Sequence, residues 1–219
     1  MRFSTAAIAV YLGILVLPSF MGCSGKNVNE DDPAALLQEA EEDIESEYYQ
    51  LAIEKLRKIS NKFPYSNYSV KAKLRIADVY FLQESYAEAA SAYANFYELH
   101  PKHEQVAYAM FRAGESFYND VPGNIARDLV SATHALDAFQ TYLKQFPNDT
   151  KSSLARDRAR EIKEILAKKE LYIGDFYFKR NYNGSARIRY QKLIKLYPET
   201  ESAHKATDKL KEIENEDSR

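Results

Sequence analysis

Histidines and carboxylates are the residues with which this sequence could do acid–base or metal chemistry, and their spacing favours neither. Among four histidines, only His100 and His103 lie close together, and their H-x-x-H spacing lacks a third metal ligand. The chain contains no glycine-rich phosphate loop, G-x-S-x-G elbow, H-E-x-x-H motif or C-x-x-C pair. The acidic residues between positions 39 and 47 are typical of a solvated helix face. We therefore expect no enzyme activity, no metal and no cofactor.

Cys23 is the only cysteine, and the residues before it predict lipidation rather than a disulfide. Arg2 precedes an uncharged apolar run from Ala6 to Leu17, which has the length of a signal-peptide core. Gly22 and Cys23 then resemble the end of a bacterial lipobox, in which the cysteine is lipidated and becomes the mature N-terminus. Cys23 is therefore the predicted lipidation site.

The N-terminal segment is predicted to be removed or anchored rather than folded. Residues 1–22 are the expected lipoprotein signal peptide, and residues 23–32 the lipidated N-terminus with a flexible tether. Ser24 after the cysteine is typical of lipoproteins exported to the outer membrane, so we expect a lipid anchor on its periplasmic face. Phe20 and Met21 depart from the lipobox, which leaves an uncleaved membrane anchor as the alternative.

Charge is divided unevenly along the chain. Residues 26–50 contain nine acidic residues against one basic, whereas residues 151–211 contain sixteen basic against eight acidic. The two ends are therefore expected to bind different partners. A basic segment could indicate nucleic acid, but the predicted export of the protein argues against that partner. The remaining interpretations are solvated helix faces, an acidic protein partner or anionic headgroups.

A pattern repeated four times along the chain predicts the helices that position the residues described above. Each of four prolines has an alanine eight residues after it, an alanine twelve residues before it and a large apolar residue eight residues before it. The prolines are Pro64, Pro101, Pro147 and Pro198, and the large residues are Leu56, Tyr93, Phe139 and Tyr190. The preceding alanine and the large residue lie four apart and share one helix face, where a second helix can pack. These offsets match the tetratricopeptide consensus.

The repeat predicts an all-α solenoid of four to five tetratricopeptide hairpins. Proline cannot continue a helix, so each one marks the turn before the next hairpin. The expected helices span residues 34–46, 48–62, 69–84, 86–99, 104–118, 131–146, 151–180, 183–197 and 201–215. The prolines are 37, 46 and 51 residues apart, against about 34 in a regular repeat. We therefore expect an insertion near residues 119–130 and one long fused helix from Ser152 to Arg180.

Three further stretches of the chain after residue 32 are distinctive: KFPYSNY, VAYAMFRAG and LAKKELYIGDFYFKRNY. With them, the sequence from about residue 32 onward resembles the BamD family, also called ComL, lipoproteins of the outer-membrane β-barrel assembly machine. KFPYSNY resembles the Y-P-F-S-x-Y stretch of the family, and VAYAMFRAG resembles its V-x-Y-A-x-Y-x-x-G helix. LAKKELYIGDFYFKRNY is similar to the signature L-A-x-x-E-x-x-x-A-x-Y-Y-x-x-R-x-x-Y. Gly174 replaces the usual Ala of this signature, and Asn181 replaces the Gly that follows Arg180.

The resemblance implies a non-catalytic scaffold. Its implied partners are the periplasmic domains of the barrel-inserting subunit BamA, unfolded outer-membrane proteins and other lipoproteins of the same complex. Substrate recognition is assigned to the N-terminal repeats, residues 33–149, and BamA docking to the C-terminal repeats, residues 150–219. The alternative is another periplasmic tetratricopeptide lipoprotein that organises envelope or secretion machinery, with an exported enzyme as a third class.

The tetratricopeptide register predicts a substrate groove on the first three hairpins. Positions two, five, nine and twelve of each first helix face the concave side, which would be apolar and aromatic here. The turn after Pro64 adds two tyrosines at the rim. The predicted substrate-binding residues are Leu37, Ile44, Tyr65, Tyr68, Leu74, Phe81, Tyr108, Phe111 and Tyr118. The competing interpretation is that some of them pack against neighbouring helices or the insertion.

Three arginines of the C-terminal repeats are the predicted partner-binding residues: Arg180, Arg187 and Arg189. The resemblance makes Arg189 the principal BamA contact, because it takes the place of the family's arginine nine residues before the last Tyr-Pro. Arg187 and Arg189 also lie off the apolar stripe of their helix. We therefore expect their guanidinium groups to be available to a partner.

Overall fold

The computed structural model describes residues 31–217, the side chain of Asp217 excepted, and these residues form nine helices and no strand. The helices are α1 (Pro33–Glu45), α2 (Tyr49–Lys62), α3 (Asn67–Leu82), α4 (Tyr86–Leu99), α5 (Val106–Asn119), α6 (Val130–Gln145), α7 (Ser152–Phe178), α8 (Asn183–Leu196) and α9 (Glu201–Asp217). Every predicted helix is found, with both ends within two residues of the expected positions. The predicted signal peptide and Cys23 lie outside the described residues.

Prolines and polar caps set the helix boundaries. The second helix of each hairpin is capped at its C-terminus by the residue before a proline, because proline forces its predecessor out of the α conformation. These residues are Phe63, His100, Phe146 and Tyr197. At the start of α1, the side chain of Asp32 accepts a hydrogen bond from the N–H of Ala34 at 2.9 Å, and Pro33 occupies the first turn.

Three of the four hairpins turn through a residue in the left-handed conformation. Glu47 (φ 62°), Glu84 (φ 59°) and Asn181 (φ 62°) each directly precede the residue that caps the second helix. Non-glycine residues rarely adopt this conformation, and Asn tolerates it best. Asn181 can therefore replace the Gly that the resemblance led us to expect.

The hairpin of α5 and α6 has the predicted insertion in place of such a turn. Residues 120–129 connect the two helices without regular structure. The Nζ of Lys169, on α7, donates hydrogen bonds to the carbonyl oxygens of Ala126 (3.0 Å) and Arg127 (2.8 Å). The insertion is therefore tied to the long helix that follows it.

The large residues of the repeat close each hairpin as predicted. Leu56, Tyr93, Phe139 and Tyr190 are fully buried, as are the alanines four residues before them. In two hairpins the ring lies directly on a glycine of the facing helix. A Cβ atom on Gly114 would be 2.8 Å from the ring of Phe139, and one on Gly174 would be 2.4 Å from the ring of Tyr190. This close approach explains Gly174 where Ala was expected.

The hydrophobic core continues along the solenoid without a break at residues 149 and 150. One cluster contains Phe111 of α5, Phe139 of α6 and Ile162 of α7. The proposed division into two binding halves therefore separates surfaces and not cores.

Odd-numbered helices line the inner side of the solenoid. α1 contacts α3, α5 contacts α7 and α7 contacts α9, whereas the even-numbered helices of the described region make no comparable contacts with each other. The chain therefore curves towards the odd-numbered helices, which we call the inner helices, and the even-numbered ones are the outer helices. The all-α tetratricopeptide solenoid is confirmed. None of α1 to α9 is both long and apolar enough to cross a membrane.

Candidate binding surfaces

The predicted groove lies on α1, α3 and α5, but two of its residues belong to the core. Ile44 is 7% exposed and packs in the first hairpin, and Phe111 is 2% exposed and contacts the rings of Phe139 and Tyr142. The prediction that Ile44 and Phe111 face the groove is wrong. An inner helix packs against the helices on both of its sides, so it buries a wider stripe than the consensus register allows.

Other predicted groove residues divide between packing and exposure. Leu37 and Tyr68 are half-buried against the core of the first hairpin, and Leu74 against the core beneath α3 to α5. Tyr65, in the turn after Pro64, is fully exposed. Leu37, Tyr68 and Leu74 therefore stabilise the fold as well as contributing surface.

Phe81 is covered by a cation rather than open to the groove. The guanidinium carbon of Arg112 lies 3.5 Å from the centroid of the Phe81 ring, within the range of a cation–π interaction. The same guanidinium group donates a hydrogen bond to Glu115 at 3.0 Å. One ring of the predicted aromatic face thus carries a charged pair above it.

Asp78 gathers the polar groups at the centre of this surface. Its Oδ1 accepts hydrogen bonds from the hydroxyls of Tyr93 (2.7 Å) and Tyr108 (2.8 Å), and its Oδ2 lies 3.4 Å from Nη1 of Arg75. Burial and the charge of Asp78 raise the pKa of Tyr108 to about 12, and they raise the pKa of Tyr93 as well. Both phenols therefore stay protonated as hydrogen-bond donors.

Tyr118 is also engaged by charged groups, at the C-terminal end of α5. Its hydroxyl donates to Glu161 and accepts from Arg158 at 2.8 Å. The hydrogen bond from Tyr118 lowers the pKa of Glu161. The expectation of an apolar aromatic face is therefore corrected: the partly exposed rings are present, and charged side chains from the next inner helix bind them.

A cleft of about 680 Å³ opens beside Tyr118, between α5, α7 and the turn that precedes α9. Glu164, in the wall of this cleft, stabilises the fold, because its carboxylate accepts hydrogen bonds from the N–H of Glu201 (3.0 Å) and the hydroxyl of Ser202 (2.7 Å). Lys168 and Ile165 also line this cleft. It lies at the junction of the two predicted binding halves.

The sequence predicts that Arg187 and Arg189 of the C-terminal surface are free to bind a partner, but both interact within the chain. Arg189 forms an ion pair with Glu170 at 3.2 Å, and the same carboxylate binds Lys192 at 2.6 Å. The prediction of an unengaged Arg189 is wrong, because Glu170 of α7 faces α8 across the hairpin. Arg187 is half-buried and also has an interaction within the chain.

Exposed aromatic residues beside Arg180 were missed by sequence reasoning. The guanidinium carbon of Arg180 lies 3.7 Å from the centroid of the Phe176 ring, and Tyr172 and Tyr182 are exposed nearby in sequence. Helical periodicity could have indicated two of them. Tyr172 and Phe176 lie four apart and thus on one face of α7, two residues or about 200° away from Gly174 on the packed face.

The pair His100 and His103 takes part in packing. Both rings contact the ring of Phe96, at centroid distances of 5.3 and 5.2 Å. Burial, together with the positive charge of Lys73, lowers the pKa of His100. In residues 31–217 no three His, Cys, Asp or Glu side chains are grouped to hold a metal ion.

Comparison with known proteins gives a consistent set of relatives. The family model YfiO, described as an outer membrane lipoprotein, matches residues 29–216. The outer membrane protein assembly factor BamD of Vibrio cholerae is 29% identical over 208 residues, which cover 90% of this chain and 86% of that protein. BamD of Caulobacter vibrioides is 26% identical over 205 residues, covering 91% and 67%. BamD of Pasteurella multocida is 26% identical over 200 residues, covering 87% and 77%.

Proposed function

The chain belongs to the YfiO family of outer membrane lipoproteins, and we propose that it is a non-catalytic scaffold of the outer-membrane protein assembly complex. In this role it binds BamA and unfolded β-barrel proteins and supports their insertion into the membrane. The observation that carries the proposal is the extent of the family match, which spans residues 29–216 and so includes both candidate surfaces. A solenoid suits a scaffold, because stacked repeats present an extended surface to partners.

Copurification tests the proposal as a whole. The protein should be isolated with BamA after gentle extraction of membranes, and the complex should include other lipoproteins of the machine. Recovery with peptidoglycan-organising or secretion proteins instead of BamA would favour the alternative tetratricopeptide lipoprotein.

The proposed location is the periplasmic face of the outer membrane, with the anchor on Cys23. A single acyl chain binds a bilayer only weakly, whereas several chains anchor stably. Palmitate labelling should therefore label the wild type and leave Cys23→Ala unlabelled and released from the membrane fraction. Equal labelling of the two proteins would exclude this anchor.

We assign substrate binding to the surface of α1, α3 and α5. Tyr65, exposed at the predicted rim, and the partly exposed Tyr108 support this assignment, since aromatic side chains with a polar tip are enriched in protein interfaces. Photo-crosslinkers at Tyr65 and Tyr108 should capture unfolded barrel proteins. A crosslinker at Glu88, exposed on the outer helix α4, is the control, and capture there alone would contradict the assignment.

We assign BamA docking to the hairpin of α7 and α8, with Arg189 as a principal contact. Arg189 is half-exposed, and its planar guanidinium can bind a carboxylate of a partner with two hydrogen bonds. Loss of one partner from a desolvated charge pair costs about 2–5 kcal/mol of binding free energy. Removal of Arg189 does not leave Glu170 unpaired, because Lys192 still binds the same carboxylate. The variant therefore tests the interface without creating an unpaired charge inside the hairpin.

The docking assignment is tested with purified periplasmic domains of BamA. Arg189→Ala should weaken their affinity strongly, whereas Lys195→Ala, an exposed cation on another face of α8, should not. Equal affinity of the two variants, with unchanged helical content, would remove Arg189 from the interface.

A further inference from the structure

A second repeat runs along the inner helices. Eleven residues after each of the four prolines stands a basic residue, and fourteen residues after each stands an acidic one. The two form an ion pair within the same helix in every case. The pairs are Arg75 with Asp78 (3.4 Å), Arg112 with Glu115 (3.0 Å), Arg158 with Glu161 (3.0 Å) and Lys209 with Glu212 (2.7 Å). Because all eight positions keep their charge sign, the pattern belongs to the repeat.

Each of these cations also reaches back to the preceding inner helix. In three of the four junctions it lies over an aromatic ring there, as a cation–π contact. Measured to the ring centroid, the contacts are Arg112 on Phe81 (3.5 Å), Arg158 on Tyr118 (4.3 Å) and Lys209 on Phe178 (4.9 Å). The acid on its own helix and the ring on the neighbouring helix together hold each cation in place.

The long helix α7 preserves this arrangement. Phe81 and Tyr118 stand seventeen residues after Pro64 and Pro101, whereas Phe178 stands thirty-one residues after Pro147. The fourteen additional residues correspond to about four helical turns at 3.6 residues per turn. Both ends of α7 therefore present the same face to the inner surface.

The first junction uses an acid in place of the ring. Ile44 stands where the repeat has Phe81, and it is buried. Arg75 instead binds Glu41 of α1 with two parallel hydrogen bonds, Nε to Oε1 at 2.8 Å and Nη2 to Oε2 at 2.6 Å. Each of the four junctions between consecutive inner helices, α1 to α9, is thus bridged by its own basic side chain.

These bridges matter because side chains join consecutive inner helices where their backbones stay apart. α3 and α5 both pack extensively on α4, which lies between them. Besides Arg112 over Phe81, the hydroxyl of Tyr108 also joins α5 to α3 through its hydrogen bond to Asp78. We propose that Arg75, Arg112, Arg158 and Lys209 are positioning residues that set the spacing of the inner helices and hence the curvature of the inner surface. This inference concerns geometry and holds whichever partner the surface binds.

The test measures the distance across one junction. Spin labels are introduced by Glu54→Cys on α2 and Gln140→Cys on α6, both exposed, in the full chain with Cys23→Ser. Pulsed electron–electron double resonance then gives the distribution of distances between the two labels, which span the junction bridged by Arg112 and Phe81. Arg112→Ala should shift or broaden this distribution.

Further variants separate positioning from simple stabilisation. Arg112→Lys should keep the wild-type distribution, because Lys209 performs the same role at the last junction. Phe81→Leu, which removes the ring but keeps apolar packing, should shift it and serves if Arg112→Ala does not fold. The control is Arg160→Ala, whose cation forms an ion pair with Asp157 on its own helix.

Two results would overturn the proposal. One is an unchanged distribution in Arg112→Ala and Phe81→Leu accompanied by a lower thermal midpoint, which would make the cation a stabilising contact only. The other is a shift of the same size in Arg160→Ala, which would reflect loss of any ion pair on the inner helices.

Discussion

Two hairpins of the solenoid, α3–α4 and α7–α8, contain the same internal hydrogen bond in different surroundings. Tyr93 donates to Asp78, and Tyr190 donates to Asp175, at 2.7 Å in both cases. The Asp78 carboxylate is shared with Tyr108 and Arg75, whereas Asp175 has Tyr190 as its side-chain partner among the residues described. The repeat thus specifies the bond inside a hairpin, and the neighbouring inner helix decides whether the carboxylate is shared.

The two hairpins also differ in the residue beneath the tyrosine ring. Tyr93 belongs to a hairpin with Ala77, and Tyr190 lies directly on Gly174. The C-terminal hairpin is therefore packed more closely at this point, whereas Tyr93 is also in contact with Tyr108 and Arg112 of the next inner helix. The following predictions test this difference, from the largest effect to the smallest.

Gly174→Ala should make the C-terminal hairpin resemble the N-terminal one in sequence while damaging its packing. The new Cβ would lie 2.4 Å from the Tyr190 ring, so either the ring or the helix must move. Overpacking of this kind costs about 1–3 kcal/mol in the free energy of unfolding. Urea unfolding measures the loss. Gly184→Ala is the control, since a Cβ there meets no atom within 4 Å, and an equal loss in both variants would contradict the packing argument.

Tyr190→Phe should cost more than Tyr93→Phe. The first change removes the hydrogen bond to Asp175 and leaves that carboxylate without its donor, at a cost of about 1–2 kcal/mol. The second leaves Asp78 bonded to Tyr108 and close to Arg75, so we expect about 0.5–1 kcal/mol. Chemical denaturation of both variants gives the comparison. A larger loss in Tyr93→Phe would show that sharing a carboxylate makes the network more dependent on each donor.

Alkaline pH should weaken the network around Asp78. The pKa of Tyr108 is raised to about 12 in the folded protein, against about 10 in an unfolded chain. A raised folded-state pKa contributes stability that is present below pH 10 and is lost as pH rises towards 12. The loss is a fraction of 1.4 kcal/mol per pH unit, because Tyr108 is 38% exposed and partly screened. Tyr108→Phe should flatten the fall in unfolding free energy between pH 10 and 12, and an unchanged slope would assign it to other groups.

Substitutions in the turns of the two hairpins should give the smallest difference in stability. Glu84→Gly should stabilise the protein by roughly 0.5 kcal/mol, because glycine relieves the strain of a positive φ and offsets part of that gain by its greater unfolded-state entropy. Asn181→Gly should have less effect, since Asn tolerates the left-handed conformation better than Glu. Thermal unfolding checks the order, and a destabilised Glu84→Gly would mean that the Glu84 side chain makes a compensating contact.

Much of the fold and part of the candidate site could be predicted from the sequence. The proline and alanine offsets indicated most of the nine helices that residues 31–217 form, because a proline ends a helix locally and residues four apart share a face. They also identified Tyr93 and Tyr190 as packing residues, which the structure confirms by their complete burial. The basic and acidic residues that stand eleven and fourteen positions after each of the four prolines can also be recognised from the sequence.

The sequence by itself therefore determined the order of helices, their boundaries and the residues that close each hairpin, all of which depend on short-range spacing. Tertiary structure decided which groove residues are buried, as for Ile44 and Phe111, because that depends on how two neighbouring helices cover an inner helix. It also paired Arg189 with Glu170, nineteen residues away, and placed Arg112 over Phe81. Such contacts follow from the angle and spacing between helices, which a helical period of 3.6 residues does not specify.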